Sequence, residues 1–123
     1  MKKEKSMLCN SEFEFMEVVW DLEPVKSMAV KRECEKRYNW SHSTVFTLHK
    51  RLLQKNLIKN ENTIITALVK REDLQSFDSS FVVNERFRGS LPSFVSSFCM
   101  NNKLSKKDID EMKRLLKNLE TDK

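Results

Sequence analysis

Glycine occurs once in the 123 residues and proline twice. So few breakers leave little material for the tight turns of an all-β chain and favour uninterrupted helices. With Gly89 alone no glycine-rich phosphate loop can be built, and neither H-E-x-x-H nor D-x-D-x-D-G occurs. Cys9, Cys34 and Cys99 are odd in number and far apart, with no C-x-C or C-x-x-C pair, which predicts reduced structural thiols and no cysteine-held metal. His42 and His49 have no third donor spaced to join them, so no metal is expected there either. Cys34 and His49 could pair as nucleophile and base only by leaving segments read below as core and groove. The chain is therefore read as a non-enzyme without a cofactor. No run of about 18 apolar residues and no signal-peptide pattern is present, which argues against membrane insertion and predicts a cytoplasmic location.

What is present is 39% hydrophobic and 33% charged residues with a net charge of +5, the profile of a soluble helix-rich protein. One further absence is local. From Lys36 to Asn60 there is no Asp or Glu, while Lys36, Arg37, Lys50, Arg51, Lys55 and Lys59 all fall there. A merely solvated helix face normally mixes the signs, whereas binding a polyanion favours segregated cations that displace condensed counterions.

Within this segment Trp40–Lys59, WSHSTVFTLHKRLLQKNLIK, carries a helix signature. Ser41 is suited to N-cap it, and Val45, Leu48 and Leu52 recur on one narrow stripe. Ser43, Thr44, Thr47, Lys50, Arg51 and Gln54 cover the opposite arc. Small hydroxyl residues suit base edges, and threonine methyls suit thymine methyls. We read this stretch as a DNA-recognition helix, with Ser41, His42, Ser43, Thr44, Phe46, Thr47, Lys50, Arg51 and Lys55 as candidate contacts to double-stranded DNA.

The run T-V-F-T-L-H-K-R-L-L-Q-K-N-L-I resembles the recognition helix of the penicillinase repressor and methicillin-resistance repressor family, typically T-V-x-T-L-x-x-R-L-x-x-K-x-x-[IL]. Thr44, Val45, Thr47, Leu48, Arg51, Leu52, Lys55 and Ile58 match. The resemblance extends over nearly the whole chain, including an opening helix that ends in Val-Val-Trp-Asp. It departs from the family at Ser43 and Phe46, where members often carry Lys or Arg. The resemblance implies a winged-helix transcriptional repressor that binds a palindromic operator as a homodimer.

The rest of the chain fits a mainly α fold with a small β wing: a winged helix-turn-helix domain at residues 1–72 and a three-helix dimerisation region at 73–123. A charged tail, Met1 to Cys9, offers Lys2, Lys3 and Lys5 as further DNA contacts or is disordered. A Ser11/Glu14 capping box predicts a first helix from Glu12 to Leu22, with Trp20 largely buried, that Glu23-Pro24 ends. Ser27 is expected to cap a second helix over Met28–Tyr38, with Met28, Val30, Cys34 and Tyr38 inward, and Trp40 to wedge over it. Two β-branched strands around a tip at Asn60–Asn62 form the wing, short for the family and carrying Glu61 where a phosphate contact would want a cation.

Three more helices are expected: Glu72–Phe81; Leu91–Met100, with Leu91, Phe94, Val95, Phe98 and Cys99 inward; and one capped by Ser105 with Asp108. Ile109, Met112, Leu115, Leu116 and Leu119 recur at helical spacing in the last. Residues 1–72 hold 14 basic and 10 acidic residues, and the remainder 9 and 8, so the basic half suits DNA and the near-neutral, Phe- and Leu-rich half suits pairing with a second copy. Phe94, Phe98, Ile109, Met112, Leu115, Leu116 and Leu119 are the candidate dimer contacts. The resemblance also implies release by a sensor-protease pathway that cuts before a Phe, which here falls between Ser97 and Phe98, with Ser97 standing where the family has Asn. Two readings compete. A winged-helix regulator answering to a metal or another stress is one, though a metal sensor would need clustered C-terminal cysteines and only Cys99 is there; a protein-interaction adaptor is the other, and it would not need an acid-free face.

Overall fold

The computed structural model describes residues 8–121, so the tail lysines Lys2, Lys3 and Lys5 lie outside the described part. In chain order the elements are α1 (Asn10–Leu22), β1 (Val25–Lys26), α2 (Ser27–Tyr38), α3 (His42–Gln54), β2 (Ile58–Glu61), β3 (Ile64–Ala67), α4 (Arg71–Arg86), α5 (Leu91–Phe98) and α6 (Lys106–Thr121). The expected fold class holds: α1–α3 and a three-stranded antiparallel sheet make a winged helix with a β wing, and three helices follow. The chain divides into two units, with the division inside α4 between Val82 and Val83.

Helix α1 supplies the centre of the first unit, with Phe15, Met16, Val18 and Val19 fully buried. It starts earlier than expected. The closing carboxylate is Glu12, not Glu14: it accepts a hydrogen bond from the Cys9 backbone N–H at 3.1 Å, because Glu12 lies on the buried side of the first turn. Trp20, expected to be largely buried, is only half-buried. Its indole Nε1–H donates to the Val69 carbonyl at 2.9 Å, and the Arg71 guanidinium lies 5.1 Å from its ring centroid, so a polar rim replaces full burial. Arg71 also donates to Glu17 at 2.6 Å and Asp21 at 3.0 Å, tying the start of α4 to α1.

Strand β1 was not expected. Val25 and Lys26 pair with Ile65 and Ile64, placing β3 centrally in the order β1-β3-β2. This pairing takes over the task assigned to Ser27, which is the first helical residue of α2 and not its cap; its N–H donates to the Thr63 carbonyl at 2.8 Å. With the entry fixed by the sheet, α2 turns Val30 and Cys34 inward, while Met28, expected inside, is 54% exposed. Asn39 ends α2 in the left-handed region at φ 57°, which a short amide side chain tolerates. Trp40 then packs on Tyr38 with ring centroids 4.6 Å apart, the expected wedge.

The wing is tighter than expected. Asn60 and Glu61 belong to β2, opposite Ile65 and Ile64, and the turn is Asn62-Thr63, both at positive φ (54° and 66°). A two-residue turn with both centres in the left-handed region matches the twist of the strands it joins.

In the second half α4 runs five residues past the expected Phe81, since nothing before Arg88-Gly89 breaks it; those two residues, at φ 52° and 81°, make the reversal. Ser90 caps α5 through the Ser93 N–H at 3.1 Å. Helix α5 ends at Phe98, two residues before the expected Met100, because the Met100 N–H turns to the Ser97 carbonyl and the Asn102 side-chain amide takes the Phe98 carbonyl. Ser105 caps α6 through the Asp108 N–H at 3.0 Å, as expected. Of the α5 residues expected inward, Phe94 and Val95 are half-buried, Phe94 edge-on to Phe87 at 5.4 Å, whereas Leu91, Phe98 and Cys99 are exposed.

Candidate nucleic-acid interface

Helix α3 begins where its cap dictates: the Ser41 hydroxyl accepts from the Thr44 N–H at 3.2 Å and meets the Thr44 hydroxyl at 3.0 Å. Val45, Leu48 and Leu52 are buried in one cluster with Phe15, Met16, Val18, Val19, Val30, Cys34, Ile58 and Ile65. Burying each is worth roughly 1.5–3 kcal/mol relative to exposure, enough to set the rotation of the helix about its axis. That rotation decides what faces outward. Ser41, His42, Ser43, Phe46, Thr47, Lys50, Arg51 and Gln54 are exposed and Thr44 is half-buried, so eight of the nine candidate contacts share one accessible face or its N-terminal rim. Ser43, Thr44, Thr47 and Arg51 line one shallow depression together with Ser11 at the start of α1.

Lys55 is the exception. Its ammonium lies 2.9 and 3.1 Å from the two oxygens of Glu12, whose residue is 4% exposed. Burial by itself would raise the Glu12 pKa, but the hydrogen bonds from Lys55 and the Cys9 N–H, with the Lys55 charge, hold it below the usual carboxylate value. An ammonium held by a buried carboxylate is not free for a phosphate. The sequence contained a signal for this: Glu12, Phe15, Met16 and Val19 share one helical stripe, and an acid at a core position requires a cation partner.

The other cations divide similarly. Arg37 pairs with Asp21 at 3.0 Å and Glu33 at 2.8 Å, and Lys59 pairs with Glu61 at 3.5 Å. Among the described residues, Lys36, Lys50 and Arg51 make no ion pair. The wing thus neutralises its own Lys59. His49 is half-buried beside Phe15, 6.1 Å between centroids, and near the Asn60 amide at 3.3 Å; burial pushes its pKa down. Cys34 is fully buried, and burial pushes its thiol up to about 11, which leaves it inert as a nucleophile.

The candidate dimer residues lie elsewhere. Phe98, Ile109, Leu115, Leu116 and Leu119 are exposed, and Phe94 and Met112 half-buried. Ser97 is exposed in the last turn of α5. No helix among the described residues is long and apolar enough to cross a membrane.

The model of the family described as penicillinase repressor matches residues 8–118. The chain belongs to the penicillinase repressor family. The methicillin resistance regulatory protein MecI of Staphylococcus aureus is 28% identical over 113 residues, 89% of this chain and 92% of that protein. A penicillinase repressor of Bacillus licheniformis is 26% identical over 118 residues, 93% of this chain and 92% of its own. The resemblance carried by the Thr44–Ile58 motif is thereby borne out over almost the full length.

In this penicillinase repressor family member, the buried ion pair makes a measurable prediction. Lys55→Met leaves the Glu12 carboxylate buried without a counter-ion and should cost roughly 2–3 kcal/mol at neutral pH. Because the folded-state pKa of Glu12 is depressed, its pairing contributes above the ordinary value of 4.5 and is lost as pH falls through the folded value. Urea unfolding should therefore show a wild-type-to-variant gap that is full at neutral pH and closes as pH falls below 4.5 through the folded value; a gap independent of pH would mean that the pair does not carry the effect.

Proposed function

We propose that the protein is a transcriptional repressor that binds a palindromic operator as a homodimer, with α3 of each copy in the major groove of double-stranded DNA. The observation that carries this is the exposed face of α3: hydroxyls, an amide and two cations without an ion pair among the described residues, with no acid anywhere on the helix, held outward by the burial of Val45, Leu48 and Leu52. In this reading Ser43, Thr44 and Thr47 meet base edges, Lys50 and Arg51 meet phosphates, and Ser41 and His42 position the first turn. Lys55 acts from within, by holding the end of α3 to α1. The names of the relatives, a methicillin resistance regulator and a penicillinase repressor, support β-lactam resistance genes as the regulated set.

Pairing of two copies rests on α6. Its sixteen residues include no buried one, and Ile109, Leu115, Leu116 and Leu119 stand exposed along it with Met112 half-buried beside them. A lone helix of that length is marginal in water, so its apolar stripe needs a partner. Phe94 and Phe98 of α5 extend the apolar surface. Joining two weak half-site contacts multiplies them, so destroying the dimer releases the operator. Cleavage between Ser97 and Phe98 does this by separating α6 from the winged helix. The bond is in the final turn of an eight-residue helix, where local opening costs little.

Three outcomes test this. On a duplex selected by the protein from a random pool, Thr47→Ala should lose about 1–3 kcal/mol and little on unselected DNA, while Arg51→Ala should weaken both alike and lower the salt slope by about one; equal losses from Thr47→Ala on both duplexes would remove Thr47 from base reading. Leu115→Asp with Leu119→Asp should sediment as a folded monomer that binds a half-site poorly, and a wild-type monomer at tens of micromolar would refute the dimer. In cells given a β-lactam, intact-mass analysis should find a fragment beginning at Phe98; a whole chain throughout full derepression would exclude cleavage.

A further inference from the structure

Two apolar side chains stand largely exposed at the junction of α2 and α3. Phe46 is 63% exposed and Met28 54% exposed. They line the same depression of about 200 Å³, floored by Val45 and rimmed by Lys31, His42 and His49. A single exposed apolar residue is ordinary, but two at one depression beside the acid-free helix α3 call for an occupant. Phe46 is one helical turn from Ser43, His42 and Lys50, so the depression is continuous with the face assigned to DNA. Phenylalanine has no hydrogen-bonding group, so it cannot read the donors and acceptors of guanine, adenine or cytosine. The major-groove edge of a base pair offers one apolar feature, the C5-methyl of thymine. The flanking Lys31 and Lys50 carry the charge that suits phosphates beside such a base.

We infer that Phe46, with Met28 beside it, contacts the C5-methyl of a specific thymine in each half-site, making part of the operator preference apolar. This rests on the duplex binding proposed above and adds the base feature that is read.

The test uses the full-length protein and a duplex it selects from a random pool, in which each thymine is replaced in turn by deoxyuridine, removing the methyl alone. At one symmetric pair of positions the wild type should lose about fourfold for each methyl. Phe46→Ala, at an exposed site outside the core, should bind the thymine duplex more weakly and bind the thymine and deoxyuridine forms equally. Phe46→Leu should restore the difference. If wild type and Phe46→Ala show the same thymine-to-deoxyuridine ratio at every position, the contact does not exist, although operator binding stands. If no duplex is enriched and binding is insensitive to salt, DNA binding itself falls, and this inference with it.

Discussion

The rotation of α3 about its own axis is set by three side chains it cannot expose. Val45, Leu48 and Leu52 fit a cluster whose other walls come from α1, α2 and the sheet. Turning the helix by even one residue's angular step, about 100°, would bring polar or charged side chains into that cluster. The outward array of Ser43, Phe46, Thr47, Lys50 and Arg51 is the complement of that burial. The outward face and core packing are thus two sides of one constraint, and a change on the buried stripe disturbs the exposed face without touching it.

Electrostatics secures the edges of this arrangement with unequal weight. Lys59–Glu61 and Lys106–Asp110 are solvent-exposed, and pairs of that kind contribute little. Glu12–Lys55 differs because its carboxylate is almost wholly covered, so the cation is required and not decorative. Arg71 lies between these cases. It joins Glu17, Asp21 and the Trp20 ring at once, and one guanidinium ordered for several partners loses its side-chain freedom only once. These contacts fasten the ends of α3 and α4 to α1, the helix that also contributes most to the core.

The second unit follows different physics. Its helices are well capped, at Ser90 and Ser105, yet α5 and α6 bury no residue. Local signals suffice to start and stop a helix but not to keep one in water. That imbalance, with near-neutral charge, is the physical ground on which a second copy is invoked.

What could be read from the amino-acid order was whatever acts over a few residues. The Ser41 and Ser105 caps, the helical period of Val45, Leu48 and Leu52, the stripe from Ile109 to Leu119, the break at Arg88-Gly89 and the paired strands of the wing all have causes within one or two turns of chain. The family motif lies in the same class, which is why the outward face of α3 was legible residue by residue. Tertiary structure decided what depends on partners far along the chain. Lys55 meets Glu12 across 43 positions, and the Trp20 indole meets Val69 across 49. Val25 and Lys26 become a strand only because β3 passes beside them, and that pairing sends Met28 outward. A two-residue strand has too little period to announce itself, and an ion pair between distant helices has no fixed sequence spacing. Both form because packing brings the groups together and a buried charge or backbone group left unpaired costs more than the alternatives.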